Sequence, residues 1–289
     1  MINLPGVYKI SNEEYHADPV IVPSLSRSIM KDLIYRSPKH AWFSHPRLNL
    51  DFKPKEQVEK FDLGQAAHSL LLEGSDRATL IYGDDWRKKE AKEARDQARA
   101  EGKIPLLLDQ YDKVTDMVKV AEKAIFDCDE LSLGSLKIQG DSELSFIWQE
   151  EDVWLKVRPD WISHDRAVII DYKTTSMSVN PGDLARYIIT MGYDLQDAFY
   201  TRGVKAISGI EPKFIFLFQE TSEPYLCSFV GLPPDFMELA KSKVDFGIAL
   251  WRECMATGIW SGYPRQVCWL DLPAWSVAAW ESRASDISI

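Results

Sequence analysis

Asp160, Asp171 and Lys173 are the residues whose types and spacing could do chemistry in this chain. They lie where apolar and polar residues alternate: Glu143-Leu-Ser-Phe-Ile-Trp-Gln149, Val153-Trp-Leu-Lys-Val-Arg-Pro-Asp-Trp161 and Ala167-Val-Ile-Ile-Asp-Tyr-Lys173. A period of two marks strands, so the stretch predicts an antiparallel meander. A first turn at Glu150-Glu151 places Glu143 opposite Arg158. A second at Asp165-Arg166 places Asp160 opposite Asp171 and Arg158 opposite Lys173. These five residues then share one face. Leu144, Phe146, Trp148, Val153, Leu155, Val157, Trp161, Val168, Ile170 and Tyr172 make the other face apolar throughout. Burial of that apolar face fixes the register, because a slip by one residue turns every side chain over.

Two carboxylates directly across a strand pair have Cβ atoms about 4.5–5.5 Å apart and repel. A hard divalent cation, Mg²⁺ or Mn²⁺, held between them relieves the repulsion. Lys173, two residues beyond Asp171, emerges on the same face, within reach of a water on the metal or of a phosphate oxygen. Carboxylates, lysine and metal together make a phosphodiester hydrolysis site, since the metal lowers the pKa of water and offsets charge developing on phosphorus. The meander alone also admits a second reading, a surface salt-bridge ladder of Glu143, Arg158, Asp171 and Lys173.

The elements around the meander read as follows. Residues 1–80 are mainly helical with Pro-punctuated turns. Pro23-Ser24 and Ser37-Pro38 open helices with Ser24 and Ser37 as N-caps, and a third helix runs from Phe61 to Glu73, ending at Gly74. That third helix contains Gly64-Gln-Ala-Ala-His68, whose small residues permit close approach to a sheet. Its histidine reads either as a hydrogen-bonded core residue or, beside the acidic pair, as a nitrogen ligand. Between Trp86 and Lys103 the charges alternate in sign, with Lys89/Glu93 and Lys92/Asp96 at i,i+4, as on a solvated helix face. Another helix covers Asp109 to Phe126. After the meander come helices at Asp183–Ile188 and Gly192–Val204, strands at Lys213–Gln219 and Tyr225–Val230, and a long helix at Pro234–Ala256. Gln196 and Tyr200, one helical turn apart, read by themselves as ordinary helix residues. The tail carries Trp260, Trp269, Trp275 and Trp280 without a clear period.

Composition narrows the classes. The 289 residues hold 34 Lys+Arg against 44 Asp+Glu, a formal charge of −10, and the 45% apolar content with 10 Trp, 11 Tyr and 12 Phe is enough for a sizeable core. Such acidity argues against a protein that coats nucleic acid non-specifically, and leaves a local basic groove open. No apolar run approaches the ~18 residues of a membrane span; Phe214-Ile-Phe-Leu-Phe218 is strand-sized. Met1-Ile-Asn-Leu-Pro5 lacks the charged start and apolar stretch of a secretory signal. Cys128, Cys227, Cys254 and Cys268 are few and far apart, and read as reduced thiols of a cytoplasmic protein. There is no Gly-rich phosphate loop of the kind that would imply ATP.

Pro159-Asp160 followed by Asp171-Tyr172-Lys173 has the spacing of the PD-(D/E)xK nuclease motif. An ordered set of further pieces accompanies it: Gly6-Val-Tyr8, Asn12-Glu-Glu-Tyr15, Pro23-Ser-Leu-Ser-Arg-Ser28, Ser37-Pro-Lys-His-Ala-Trp42, Gly64-Gln-Ala-Ala-His68, Arg158-Pro-Asp-Trp161, Asp171-Tyr-Lys-Thr-Thr175 and Gln196-x-x-x-Tyr200. Together they resemble the RecE-type (exonuclease VIII-like) phage and prophage exonucleases of the RecB-like branch. The resemblance implies an α/β (α+β) fold with a restriction-endonuclease-like core, a mixed sheet with an antiparallel meander flanked by helices. It implies one nuclease domain over residues 1–289, with a helical part at 1–135, the catalytic sheet and crossover helix at 136–231, and a C-terminal helix and Trp-rich tail at 232–289.

The same resemblance implies roles. His68, Asp160 and Asp171, helped by the backbone carbonyl of Tyr172, are the expected metal ligands. Lys173 is the expected catalytic lysine, and Glu143 the assisting carboxylate. Gln196 and Tyr200 lie beside the active site and the DNA, and Ser26 and Arg27 hold a DNA phosphate at a helix N-terminus. The implied activity is a Mg²⁺-dependent exodeoxyribonuclease, with Mn²⁺ as the alternative ion, working 5′→3′ from double-stranded DNA ends. It would leave 3′ single strands for recombination by a RecT-like annealing protein, as a homo-oligomeric ring in the bacterial cytoplasm, away from membranes. Several relatives carry a four-cysteine iron–sulfur cluster with a Cys just before a Pro. Here Ser37 precedes Pro38 and the remaining cysteines lack cluster spacing, so no cluster is expected. Two rival functions are an inactive DNA-end clamp of the same fold and a glycosidase. The glycosidase needs one acid of raised pKa, whereas a lysine two residues from Asp171 favours an ionised carboxylate.

Overall fold

The alternating stretch does form strands, but the chain divides them between two sheets. The computed structural model describes residues 1–53, 62–74, 77–83, 85–131 and 133–286. In order, β1 (Gly6–Tyr8), α1 (Asn12–His16), β2 (Leu25–Ser26), α2 (Arg27–Tyr35), α3 (Pro38–Ser44) and α4 (Asp62–His68) lead into a π-helical turn, Ser69–Glu73. Next come β3 (Ala78–Ile81), α5 (Lys89–Ala100), β4 (Ile104–Leu107), α6 (Leu108–Phe126) and α7 (Leu136–Gln139). The strands β5 (Gly140–Ser142), β6 (Ser145–Glu150), β7 (Val153–Val157), β8 (Trp161–Ser163) and β9 (Val168–Thr175) follow. The chain ends with α8 (Pro181–Met191), α9 (Tyr193–Ser208), β10 (Lys213–Glu220), β11 (Cys227–Val230), α10 (Pro234–Thr257) and α11 (Ala274–Asp286).

One sheet has the order β1-β6-β7-β2 and the other β11-β10-β9-β8-β5, with β3 and β4 as a separate parallel pair. The larger sheet is mixed: β9 and β10 are parallel, their neighbours antiparallel. The break falls at Arg158-Pro159-Asp160, between β7 and β8. Pro159 has no N–H for a ladder, which suits a position where pairing stops and the chain changes sheets. The single apolar face expected from the sequence is therefore two cores. Leu144, Phe146, Trp148, Val153, Leu155 and Val157 pack in a cluster with residues of α2, α9 and α10, whereas Trp161, Ile170 and Tyr172 belong to a second one with residues of α4 and α6. Ile162 and Ile169, on the face that carries Asp160 and Asp171, are fully buried in the first cluster. Both faces of the sheet are covered, as the continuous apolar runs of β9 and β10 require.

The second hairpin has the expected register, pairing Trp161 with Ile170 and Ile162 with Ile169. The first does not. Phe146 pairs with Val157 and Glu150 with Val153, so the turn lies at Glu151-Asp152, one residue late, with Glu151 in the left-handed region at φ 52°. The correction moves Glu143 from opposite Arg158 to opposite Asp160, whose carbonyl accepts the Glu143 N–H at 3.2 Å. Glu143 also lies before β6 rather than in it, at φ 60°.

Near the N-terminus, Gly6–Tyr8 is an edge strand on β6, not helix. Ser37 caps α3, accepting from the His40 N–H. Ser24 caps nothing: the next helix opens at Arg27, with Ser26 at its N-cap. The Ser24 side chain is buried and donates to Asp18, whose other oxygen accepts the Ser24 N–H at 3.0 Å. Asp18, at φ 61°, also faces Lys156 of β7 at 3.1 Å and His45 at 3.4 Å. The Lys156 ammonium donates to the Tyr15 carbonyl at 2.6 Å. This long-range network, absent from any local pattern, ties the N-terminal segments to β7. The expected helix from Phe61 is α4 plus the π turn, closed by Gly74 at φ 63°; Phe61 itself lies outside the described residues. Among the described residues no helix is long and apolar enough to cross a membrane.

Burial would raise the Asp18 pKa, but hydrogen bonds from His45 and Ser24 and the Lys156 charge hold it at about 2. A depressed carboxylate stabilises the fold above its unfolded pKa and loses that contribution as pH falls through the folded value. Lys156 is charged throughout that window, so within this network the change at low pH comes from Asp18. The contribution of Asp18 to stability should fall by roughly 2 kcal/mol as pH drops from about 4 to about 2. Asp18→Asn, which tolerates positive φ, should flatten that part of the pH dependence in denaturant titrations followed by tryptophan fluorescence.

Candidate active site

Strand alternation on β9 puts Asp171 and Lys173 on one side, and the sheet change at Pro159 delivers Asp160 beside them. His68, the last residue of α4, comes from across the cleft. Its Nε2 lies 3.3 Å from Asp160 Oδ2 and 3.7 Å from Glu143 Oε1. One donor atom from each of His68, Glu143 and Asp160 fits within 4.8 Å of the others. Lys173 Nζ is 4.0 Å from Asp160 Oδ2 and in direct contact with Asp171 Oδ1. The remaining contacts hold the acids in place. Tyr172 N–H donates to Asp160 Oδ2 at 3.0 Å, Gln196 Nε2 to Asp171 Oδ2 at 2.5 Å, and Arg158 Nε meets Glu143 Oε2 at 2.5 Å. His68, Glu143, Arg158 and Lys173 line a cleft of about 840 Å³ that continues past Thr174, Thr175, Ser176 and Arg77.

Burial pushes Asp160 up, but Lys173, His68 and the Tyr172 N–H hold it below the usual carboxylate range. Burial and the charge of Asp160 raise Asp171. Burial, then Asp160, raise Glu143 to about 7. Burial opposes the His68 imidazolium, yet Asp160, Glu73 and Glu143 lift it to about 10. Lys173 is raised by Asp171 and Asp160 against its own burial. A cluster that draws protons onto an imidazole and a carboxylate is short of positive charge. One imidazole nitrogen and two carboxylate oxygens at this spacing are a donor set that suits a divalent cation. The residues present thus fit a metal.

The expected site residues are placed as follows. Asp171 has its oxygens engaged by Lys173 and Gln196, and Glu143 lies beside His68 and Asp160. Gln196 is buried and turned to Asp171. Tyr200 packs on Phe214. Ser26 is buried at the start of α2, its hydroxyl 3.2 Å from that of Ser28. Arg27 donates to the carbonyls of Met191 and Gly192, clasping the α8–α9 corner, and lies over the Tyr193 ring.

Two residues of the site were not foreseen. Glu73 Oε1 lies 3.8 Å from His68 Nδ1. In an α-helix, residues five apart point about 140° away from each other; the π turn after His68 is what brings Glu73 round. Tyr193, the first residue of α9, puts its ring 5.4 Å from Lys173 Nζ. No spacing rule marks it, because the contact depends on where α9 docks.

The family model described as a PDDEXK-like domain of unknown function (DUF3799) matches residues 26–269. No curated protein matches the chain. Among solved structures, the crystal structure of a "Putative exonuclease" from Eubacterium rectale superposes with a TM-score of 0.61 at 12% identity, covering 94% of this chain and 99% of that one. That likeness is one of fold. The crystal structure of SSO0001, at a TM-score of 0.29 and 14% identity over 74% of this chain and 99% of its own, is too distant to carry meaning.

His68 reaches the acids because α4 packs tightly on β9. A Cβ at Gly64 would stand 2.5 Å from Thr174 Oγ1, so with threonine at 174 any larger residue makes the helix or that hydroxyl shift. Gly64→Ala should push the helix outward and weaken Mn²⁺ binding, measured by calorimetry, about 10-fold or more, as loss of ligand support does. Thr174→Ala in the same chain should restore it.

Proposed function

The chain belongs to the family of PDDEXK-like domains described as DUF3799, and from that premise we propose that it is a metal-dependent DNA exonuclease of the RecE type. The observation that carries the reading is the convergence of His68, Glu143 and Asp160 beside Lys173 in a cleft. We read the whole chain, residues 1–289, as one nuclease domain. His68, Glu143 and Asp160 would hold Mg²⁺ or Mn²⁺, with Asp171 and the Tyr172 carbonyl as the further ligands that the resemblance implies. When bound, the ion supplies an acidified water and offsets negative charge on the phosphorus centre.

The chain's own residues do the rest. Lys173 presents an ammonium to the attacking water or to a non-bridging phosphate oxygen. Asp171 and Gln196 fix its position from one side and the Tyr193 ring from another. Arg158 pins Glu143 and keeps that carboxylate aimed at the cleft. Beyond Lys173, the hydroxyls of Thr174, Thr175 and Ser176 and the Arg77 guanidinium offer donors suited to a sugar–phosphate strand. Arg27 and Ser26 act through α2 and the α8–α9 corner, shaping the wall on which Tyr193 stands. The RecE-type resemblance supports the finer features: attack from double-stranded ends, 5′→3′ polarity, and 3′ strands passed to an annealing protein from a ring of subunits.

Linear duplexes labelled at the 5′ or the 3′ end, with a closed circle as control, should lose 5′ label first in Mg²⁺, lose none in EDTA, and leave the circle intact. Lys173→Ala should release nucleotides at least 100-fold more slowly, the scale on which losing one charge-stabilising donor acts, while end binding in gel shifts persists. A fully active variant would overturn the assignment. End binding without release by the unaltered chain would describe a clamp instead.

A further inference from the structure

Glu73 reaches His68 through a departure from regular helix, and that departure has a chemical use. Continued as an α-helix from His68, the chain would bring Leu71 and Leu72, at i+3 and i+4, onto the face of the imidazole. Instead it opens into the π turn of Ser69–Glu73. Leu71 and Leu72 are buried in the core shared with α6, and Glu73 comes round to the imidazole in their place. Two features fix the turn in that form. The Ser142 hydroxyl of β5 donates to the Leu72 carbonyl, and Gly74, at φ 63°, ends the turn directly after Glu73. Single widened turns of this kind recur at functional sites.

The two nitrogens of His68 face different acids. Nε2 is turned to Asp160 and Glu143, at 3.3 and 3.7 Å, and Nδ1 to Glu73 Oε1, at 3.8 Å. A histidine offers a lone pair through one nitrogen only when its ring proton sits on the other. For Nε2 to join Glu143 and Asp160 in holding a cation, that proton must stay on Nδ1, where it faces a carboxylate. At 3.8 Å the pair is within ion-pair reach, and a small closure makes it a hydrogen bond. Partners of this kind set the orientation of a ligating imidazole and raise its basicity.

We propose that Glu73 is a positioning residue for the metal site: it holds the Nδ1 proton of His68 and so keeps the Nε2 lone pair aimed at the space between Glu143 and Asp160. The inference rests on the metal-dependent reading above and adds to it a residue outside the PD-(D/E)xK spacing. In this role Glu73 acts through the imidazole alone.

The test is Mn²⁺ binding to the full chain, without DNA, by calorimetry, with circular dichroism to check the fold of each variant. Glu73→Ala should weaken binding about 10-fold or more. Glu73→Gln, whose amide oxygen still accepts from Nδ1, should recover most of the loss. In a His68→Ala chain, Glu73→Ala should cost nothing further, because the residue through which it acts is gone. Proton NMR of the ¹⁵N-histidine-labelled chain in Mg²⁺ supplies a signature that a packing role would not move. The Nδ1–H resonance of His68, identified by its loss in His68→Ala, should be seen in the unaltered chain and in Glu73→Gln. In Glu73→Ala it should be lost to exchange with water. Mn²⁺ binding unchanged by Glu73→Ala, an equal loss with or without His68, or an Nδ1–H signal that survives Glu73→Ala would overturn the proposal and leave the nuclease reading standing. Should His68→Ala bind Mn²⁺ as the unaltered chain does, the ligand role of His68 falls, and both readings with it.

Discussion

The site depends on holding Glu143, Asp160 and Asp171 together where water screens them poorly. Two like charges 4 Å apart cost about 4 kcal/mol at the effective dielectric of a protein surface, and Asp171 is fully buried. The fold meets that repulsion with dedicated donors. Asp171 has Lys173 and Gln196, Asp160 has the Tyr172 amide and Lys173, and Glu143 has Arg158. What these leave uncovered is the space between His68, Glu143 and Asp160, whose donor atoms lie within 4.8 Å of one another. The place for a cation is therefore a consequence of how the acids are restrained, and not of one motif residue.

Restraint of that kind requires several elements to meet at one point, and the backbone provides it with two close approaches and one break. Gly64 lets α4 sit on Thr174 from one side of the larger sheet. Gly203 lets α9 sit against β6, where a Cβ would stand 2.6 Å from the Trp148 ring. The first contact aims His68 at the acids and the second keeps Gln196 on Asp171. Pro159 supplies the break, releasing Asp160 from the sheet of β7 into that of β9. The π turn then adds Glu73 behind His68, trading regular helix geometry for a second-layer contact.

The parts that were legible in the sequence are those governed by strong, short-range patterns. The Asp165-Arg166 turn and the facing of Asp160 and Asp171 follow from alternation that burial enforces, and the DUF3799 match agrees with the PD-(D/E)xK spacing. Alternation puts the first turn one residue early because Glu150, Glu151 and Asp152 are all polar, so no apolar residue pins its apex. Ser24 looked like a helix cap because the residues that claim it, Asp18 and His45, act through tertiary contacts. Glu73 and Tyr193 carry no periodic signal at all. The meander divides into two cores because Pro159 sits at the seam between β7 and β8, where ladder pairing stops.

Arg27 and Gln196, expected beside the DNA, make their hydrogen bonds within the protein. A phosphate binder needs donors that are unspent and face the substrate. Arg27 Nη2 donates to both carbonyls at the α8–α9 corner, and Gln196 Nε2 is given to Asp171. In the proposed nuclease, both would act on the site through these neighbours, and Thr174, Thr175, Ser176 and Arg77 of the cleft would be the residues left to face a strand. The formal charge of −10 sits comfortably with that arrangement. At physiological salt, charges on the solvated faces of α5 and α6 are screened over about 8 Å. A strand entering the cleft, as proposed, would meet the local balance of Arg77, Arg158 and Lys173 against acids that a divalent ion would neutralise.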